Sequence, residues 1–135
     1  MITIGIGVDI IENSRIKSLL TNKNFIKRTF SKNEILISKK ILNKTNFFSK
    51  RFAAKEAFSK ALGTGFRNNL NFRDIEIANN KLGKPYYLLT NKIKQLIKRK
   101  KKINNFKLFL SISDEKDYSV AFTVIQKILW SQKKQ

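Results

Sequence analysis

Asp9, Glu56 and Lys60 are the side chains from which chemistry can first be read. Glu56 and Lys60 stand four positions apart in RFAAKEAFSKALGTG, residues 51–65. The neighbouring Ala53, Ala54, Ala57, Phe58 and Ala61 predict a largely buried helix. A carboxylate on such a helix needs a partner or a metal. Asp9 lies in ITIGIGVDII, residues 2–11, on the same strand face as Gly5 and Gly7. Two carboxylates brought together repel unless a cation stands between them. A Mg²⁺ ion held by two carboxylates completes its shell with waters and substrate phosphate oxygens. Lys60, one turn on, and Arg51 and Lys55, on an adjacent stripe, can neutralise further phosphate charge. Gly63-Thr64-Gly65 offers unhindered amides to an anion. The set points to phosphoryl chemistry. Plainer readings stay open beside it. Glu56 and Lys60 can be a surface pair worth roughly 0.3–0.5 kcal/mol, and Asp9 a helix N-terminal residue on a strand that crosses a helix closely.

The elements that would position these residues follow from periodicity. Residues 2–11 alternate as a strand, with Ile4, Ile6, Val8 and Ile10 expected towards the core and the bare glycine face open. Residues 12–30 read as helical. Ser31 and Glu34 form a capping box for a helix running to about Leu42. Ser49 is a candidate cap for the helix carrying Glu56, and Gly63 its C-terminal stop. Residues 72–89 predict a hairpin turning at NNKLGKP. Thr90 starts a helix that ends in KRKKK, residues 98–102, read as a solvated helix end. Residues 108–125 form the clearest hairpin, with DEKD as its turn, and the tail from 126 is peripheral, with Trp130 able to cover an edge. The order β-α-α-α-β-β-α-β-β argues for one α+β domain over residues 1–135, an antiparallel sheet backed by helices.

Composition excludes several mechanisms. The 135 residues contain no cysteine and no histidine, so disulfides, thiolate chemistry and imidazole bases are ruled out. A metal here must take oxygen ligands, which favours a hard ion. No run approaches a membrane span and no secretory leader is recognisable. Lys and Arg number 29 against 9 Asp and Glu, a formal charge of +20. A polyanionic partner explains that balance. So does codon drift, because 23 of the 29 are lysine, and planar phosphate recognition leans on arginine.

GIGVDIIENSRI, RFAAKEAFSKALGTG, LGKP and SISDEKDYSVAFTVI, in that order over residues 2–125, resemble the holo-[acyl-carrier-protein] synthases, the small bacterial phosphopantetheinyl transferases. The resemblance implies transfer of the phosphopantetheine arm of coenzyme A to a serine of apo-acyl carrier protein, with adenosine 3′,5′-bisphosphate released. It further implies a Mg²⁺-dependent cytoplasmic homotrimer with interfacial active sites, serving fatty acid biosynthesis. Carried over by position, Asp9 and Glu56 are the metal ligands and Lys60 the lysine near the diphosphate. Arg51, Phe52, Lys55, Gly63, Gly65, Gly83, Lys84 and Pro85 surround the nucleotide. Arg15, Lys23, Lys27 and Arg28 form the docking face for the acidic carrier. One position departs from the family: Phe109 stands where its members usually carry a histidine, so a metal-bound water or Glu56 has to relay the serine proton. The competing reading, a nucleic-acid-binding domain, has the charge in its favour. Against it, the aromatics fall at core spacing rather than among the basic residues. A third reading is a relative that binds coenzyme A without transferring.

Overall fold

The computed structural model describes residues 1–63 and 71–129. Along the chain run β1 (Ile2–Glu12), α1 (Asn13–Leu19), α2 (Lys23–Thr29), α3 (Lys32–Ser38) and α4 (Lys44–Leu62). A 3₁₀ turn (Phe72–Asp74), β2 (Ile77–Asn79), β3 (Pro85–Tyr87), α5 (Asn91–Lys101), β4 (Phe106–Asp114) and β5 (Tyr118–Lys127) follow. β1, β5 and β4 make an antiparallel sheet with β5 in the centre, and β2 and β3 pair separately. The architecture is the expected α+β arrangement.

The long helix α4 packs across one face of the sheet, touching β1, β5 and β4. Its small residues Ala53, Ala54, Ala57 and Ala61 are all buried, as are Ala121 and Ile125 of β5. This close approach reverses the expected orientation of β1. The glycine face points inward: a Cβ on Gly7 would lie 1.8 Å from the Ala57 carbonyl oxygen, and one on Gly5 2.3 Å from that of Ala61. Strand backbone therefore rests directly on helix backbone, and Ile6, Val8 and Ile10 face out, each more than half exposed. Of the expected core set only Ile4 packs against the core, and it does so partly buried. The alternation was real, but the side with no side chains allowed the tighter contact.

The second half of the core is aromatic. Phe25, Phe30, Phe48, Phe52 and Phe72 form a chain of ring contacts with centroids 4.6–6.0 Å apart, beneath α2 and α3. Element ends shift from the sequence reading where side-chain caps intervene. Asn22 accepts from the Asn24 and Phe25 amides and starts α2, dividing the expected helix over 12–30. The Ser31–Glu34 capping box is present, but α3 stops at Ser38. Asn43, not Ser49, caps α4, and Gly63 ends it in the left-handed region at φ 86°. Gly65 and Trp130 lie outside the described residues.

Replacing Gly7 with alanine forces a methyl group into the Ala57 carbonyl, and neither backbone can yield cheaply. Gly7→Ala is expected to lower unfolding free energy by about 3 kcal/mol, measured by urea denaturation. Glycine-to-alanine at the solvent-facing Gly83 meets no atom within 4 Å and serves as the control, with only its positive φ to resist the change.

Candidate active site

The β1–α4 contact sets the site. Gly7 lies on Ala57, and Asp9, two residues further on the same strand face, is brought beside the next turn of the helix. The Lys60 ammonium donates to Asp9 Oδ1 at 3.1 Å and to the Val8 carbonyl at 3.0 Å. Glu56, half-buried, lies within electrostatic range of Asp9, Lys60 and Arg15. Burial, and then the charge of Asp9, raise its proton affinity above the ordinary glutamate range, while Lys60 and Arg15 oppose the rise. The structure thus pairs Lys60 with Asp9 and sets Glu56 within electrostatic range of both and of Arg15, residues that the chain separates by up to 51 positions.

This donor set fits a hard divalent cation. Both carboxylates offer oxygen ligands, and the repulsion visible at Glu56 is the kind that a cation relieves. Among the described residues no group of three acidic side chains forms, so two carboxylates are what the chain supplies there. The Lys60–Asp9 pair adds little stability, because Lys60 is 54% exposed.

Other expected site residues divide into three groups. Arg51, Gly83 and Pro85 line one groove of 370 Å³, together with Phe47, Lys50 and Asn79. The Arg51 guanidinium stacks 3.8 Å over the Phe47 ring and donates to the Asn79 side chain at 2.8 Å. Its Nε is buried and makes no hydrogen bond among the described residues. Lys84 lines a neighbouring groove of 290 Å³ with Tyr86 and Phe109. Phe52 turns into the aromatic core against Phe25 and Phe72, and Gly63 serves as the helix stop.

Lys55 corrects the sequence reading. It is fully buried and donates to Glu34 Oε1 at 2.8 Å, to the Phe72 carbonyl at 2.8 Å and to the Ile75 carbonyl. All three donors are spent, so none faces a nucleotide. Burial lowers its proton affinity, and the Glu34 carboxylate opposes that fall. Glu34, read from sequence only as a cap, also receives the Ser31 and Ile77 amides. This pair ties α3, α4 and the start of β2 together beneath the site. Leaving either charge alone costs about 3–5 kcal/mol. The only signal for it in the sequence was a lysine on a buried helix.

Arg15, Lys23, Lys27 and Arg28 are exposed on α1 and α2. Phe109 is 45% exposed on the outer face of the sheet, where β-pairing aligns it with Val124 and Ile6 in one row. Val8 and Phe122 form the next row, and Ile10 and Val120 the third.

The sequence model of the 4′-phosphopantetheinyl transferase superfamily matches residues 5–123. A holo-[acyl-carrier-protein] synthase from Pelagibacter ubique is 64% identical over 124 residues, covering 92% of this chain and 97% of that protein. One from Orientia tsutsugamushi is 46% identical, covering 90% and 95%. The crystal structure of a holo-[acyl-carrier-protein] synthase from Neisseria meningitidis superposes with a TM-score of 0.84 at 37% identity, covering 93% of this chain and all of that one. The Bacillus anthracis enzyme, solved in complex with coenzyme A (3′,5′-ADP), superposes at 0.78 with 35% identity, covering 95% and 100%.

The raised proton affinity of Glu56 has a sign that can be measured. The folded state holds that proton more tightly than the unfolded chain. Stability is therefore unaffected below the ordinary glutamate value of 4.5 and falls as pH rises from there through the raised range. Glu56→Gln removes this loss. In EDTA, the variant is expected to melt above wild type at neutral pH, with the gap closing towards about pH 4, by differential scanning calorimetry.

Proposed function

The chain belongs to the 4′-phosphopantetheinyl transferase superfamily, and on that footing we propose how its residues carry out the reaction. It is an enzyme that transfers the phosphopantetheine arm of coenzyme A to a serine of apo-acyl carrier protein. The other product is adenosine 3′,5′-bisphosphate.

In the proposed mechanism Asp9 and Glu56 hold a Mg²⁺ ion, which supplies charge neutralisation for the diphosphate of coenzyme A. Lys60, already held at Asp9, places its ammonium beside the phosphate oxygens that gain charge as the bond to the bisphosphate breaks. The serine hydroxyl of the carrier forms a new bond to the phosphorus on the pantetheine side. Its proton needs an acceptor, and the chain has neither imidazole nor thiol. Asp9 is engaged by Lys60, so a Glu56 carboxylate oxygen is the side chain best matched to take it. Phe109 provides no proton relay, and its ring instead extends an apolar face.

The nucleotide end of coenzyme A fits the groove lined by Phe47, Arg51, Asn79 and Pro85. Buried Arg51 presents its guanidinium there, and Gly83 of the β2–β3 turn lines the same groove. Arg51 precedes Glu56 by five residues, about 7.5 Å along the helix axis, so one helix can address both the nucleotide and the diphosphate. The exposed apolar rows of β1, β5 and β4 supply the surface on which copies of the chain pack as the proposed homotrimer, because an open face of this kind marks a contact site. No helix of the described residues is long and apolar enough to cross a membrane. The proposed setting is the cytoplasm, with the carrier of fatty acid biosynthesis as substrate and an acidic helix of that carrier meeting Arg15, Lys23, Lys27 and Arg28.

The observation that carries this reading is that Asp9 and Glu56 lie within electrostatic range of each other, with Lys60 paired to Asp9. Incubation with coenzyme A, Mg²⁺ and apo-carrier protein, followed by intact mass, is expected to show the gain of one pantetheine arm. Asp9→Ala and Glu56→Ala are each expected to slow turnover at least 100-fold or so, and EDTA to stop it. Undiminished turnover in both variants would contradict the assignment.

A further inference from the structure

Between α2 and α3 lies a groove of 420 Å³ that the reaction does not use. Its floor is apolar. Phe30 is fully buried, Ile35 half-buried, and Leu36 stands 59% exposed in the opening. Its rim is cationic, formed by Lys27, Lys32, Lys39 and Arg73. Among the described residues no carboxylate lines it. The two acidic residues nearest in sequence are engaged elsewhere, Glu34 with buried Lys55 and Asp74 with Lys92 at 2.6 Å. None of the four rim cations forms an ion pair among the described residues.

Four like charges around an exposed leucine repel one another and leave apolar surface in water. A partner that carries carboxylates and apolar side chains on one face corrects both defects. A simple anion would answer only the charge. Lys27 lies on both the groove rim and the basic face of α2, so the two surfaces are continuous. We propose that the acidic carrier protein docks across both. Its footprint runs from Arg15 over α2 into this groove, where apolar side chains cover Leu36 and Ile35 and carboxylates pair with Lys32, Lys39 and Arg73. The inference rests on carrier protein being the substrate, and it adds α3 and Arg73 to the recognition surface.

Steady-state kinetics with apo-carrier protein test it, using wild type, Lys32→Glu/Lys39→Glu and Leu36→Ser. These side chains are exposed, and melting curves check that each variant folds. Both variants are expected to raise KM for the carrier, the double variant about tenfold, with kcat and KM for coenzyme A unchanged. The double variant should also show a weaker salt dependence of the carrier KM. An unchanged carrier KM in both folded variants overturns the proposal. So does an equal rise in KM for coenzyme A, which would indicate a structural effect. Loss of self-association by light scattering would assign the groove to contacts between copies instead. Failure of wild type to modify the carrier overturns the functional reading itself, and the groove with it.

Discussion

The site depends on one contact, the backbone of β1 lying against the backbone of α4. Gly5 and Gly7 make it possible, because any side chain there would occupy the space of the Ala57 and Ala61 carbonyls. From that contact the rest follows with little freedom. Asp9 shares a face with Gly7, Glu56 precedes Ala57, and Lys60 precedes Ala61. Setting strand on helix at this distance puts Lys60 on Asp9 and leaves Glu56 within electrostatic range of both. A site assembled from rigid elements holds its geometry better than one assembled from loops.

Two charge clusters along the same helix illustrate opposite settings for a carboxylate, one buried and one half-buried. Glu34 receives two backbone amides and the Lys55 ammonium, so its negative charge is well compensated in the interior. That cluster holds elements together and leaves nothing over for a ligand. Among the described residues Glu56 has no such set: burial and Asp9 both disfavour its charge, and Lys60 and Arg15 offset them only in part. A carboxylate whose charge is disfavoured in this way is a candidate for contact with a ligand.

The sequence disclosed the elements better than their orientation. Alternation over residues 2–11 gives a strand with two faces, but it does not say which is inside. Counting apolar residues favours the isoleucine face, whereas packing distance favours the glycine face, and the latter decided. The consequence is an open apolar surface of Ile6, Val8, Ile10, Phe109 and Phe122. The capping box, the C-terminal glycine stop and the last hairpin were readable because each depends on residues near in sequence. Lys55 and Lys60 were not separable that way. Both lie on one helix five residues apart, and only the approach of Glu34 from α3 and of Asp9 from β1 directs one inward and the other to the site.

The central claim is that Asp9 and Glu56 form one divalent cation site, and Mn²⁺ can report on it as a stand-in for Mg²⁺. Anomalous diffraction from a crystal grown with MnCl₂ and coenzyme A is expected to show a peak in coordination contact with both carboxylates. A peak elsewhere, or strong Mn²⁺ sites only at other acidic residues while Lys60 stays on Asp9, would contradict the account.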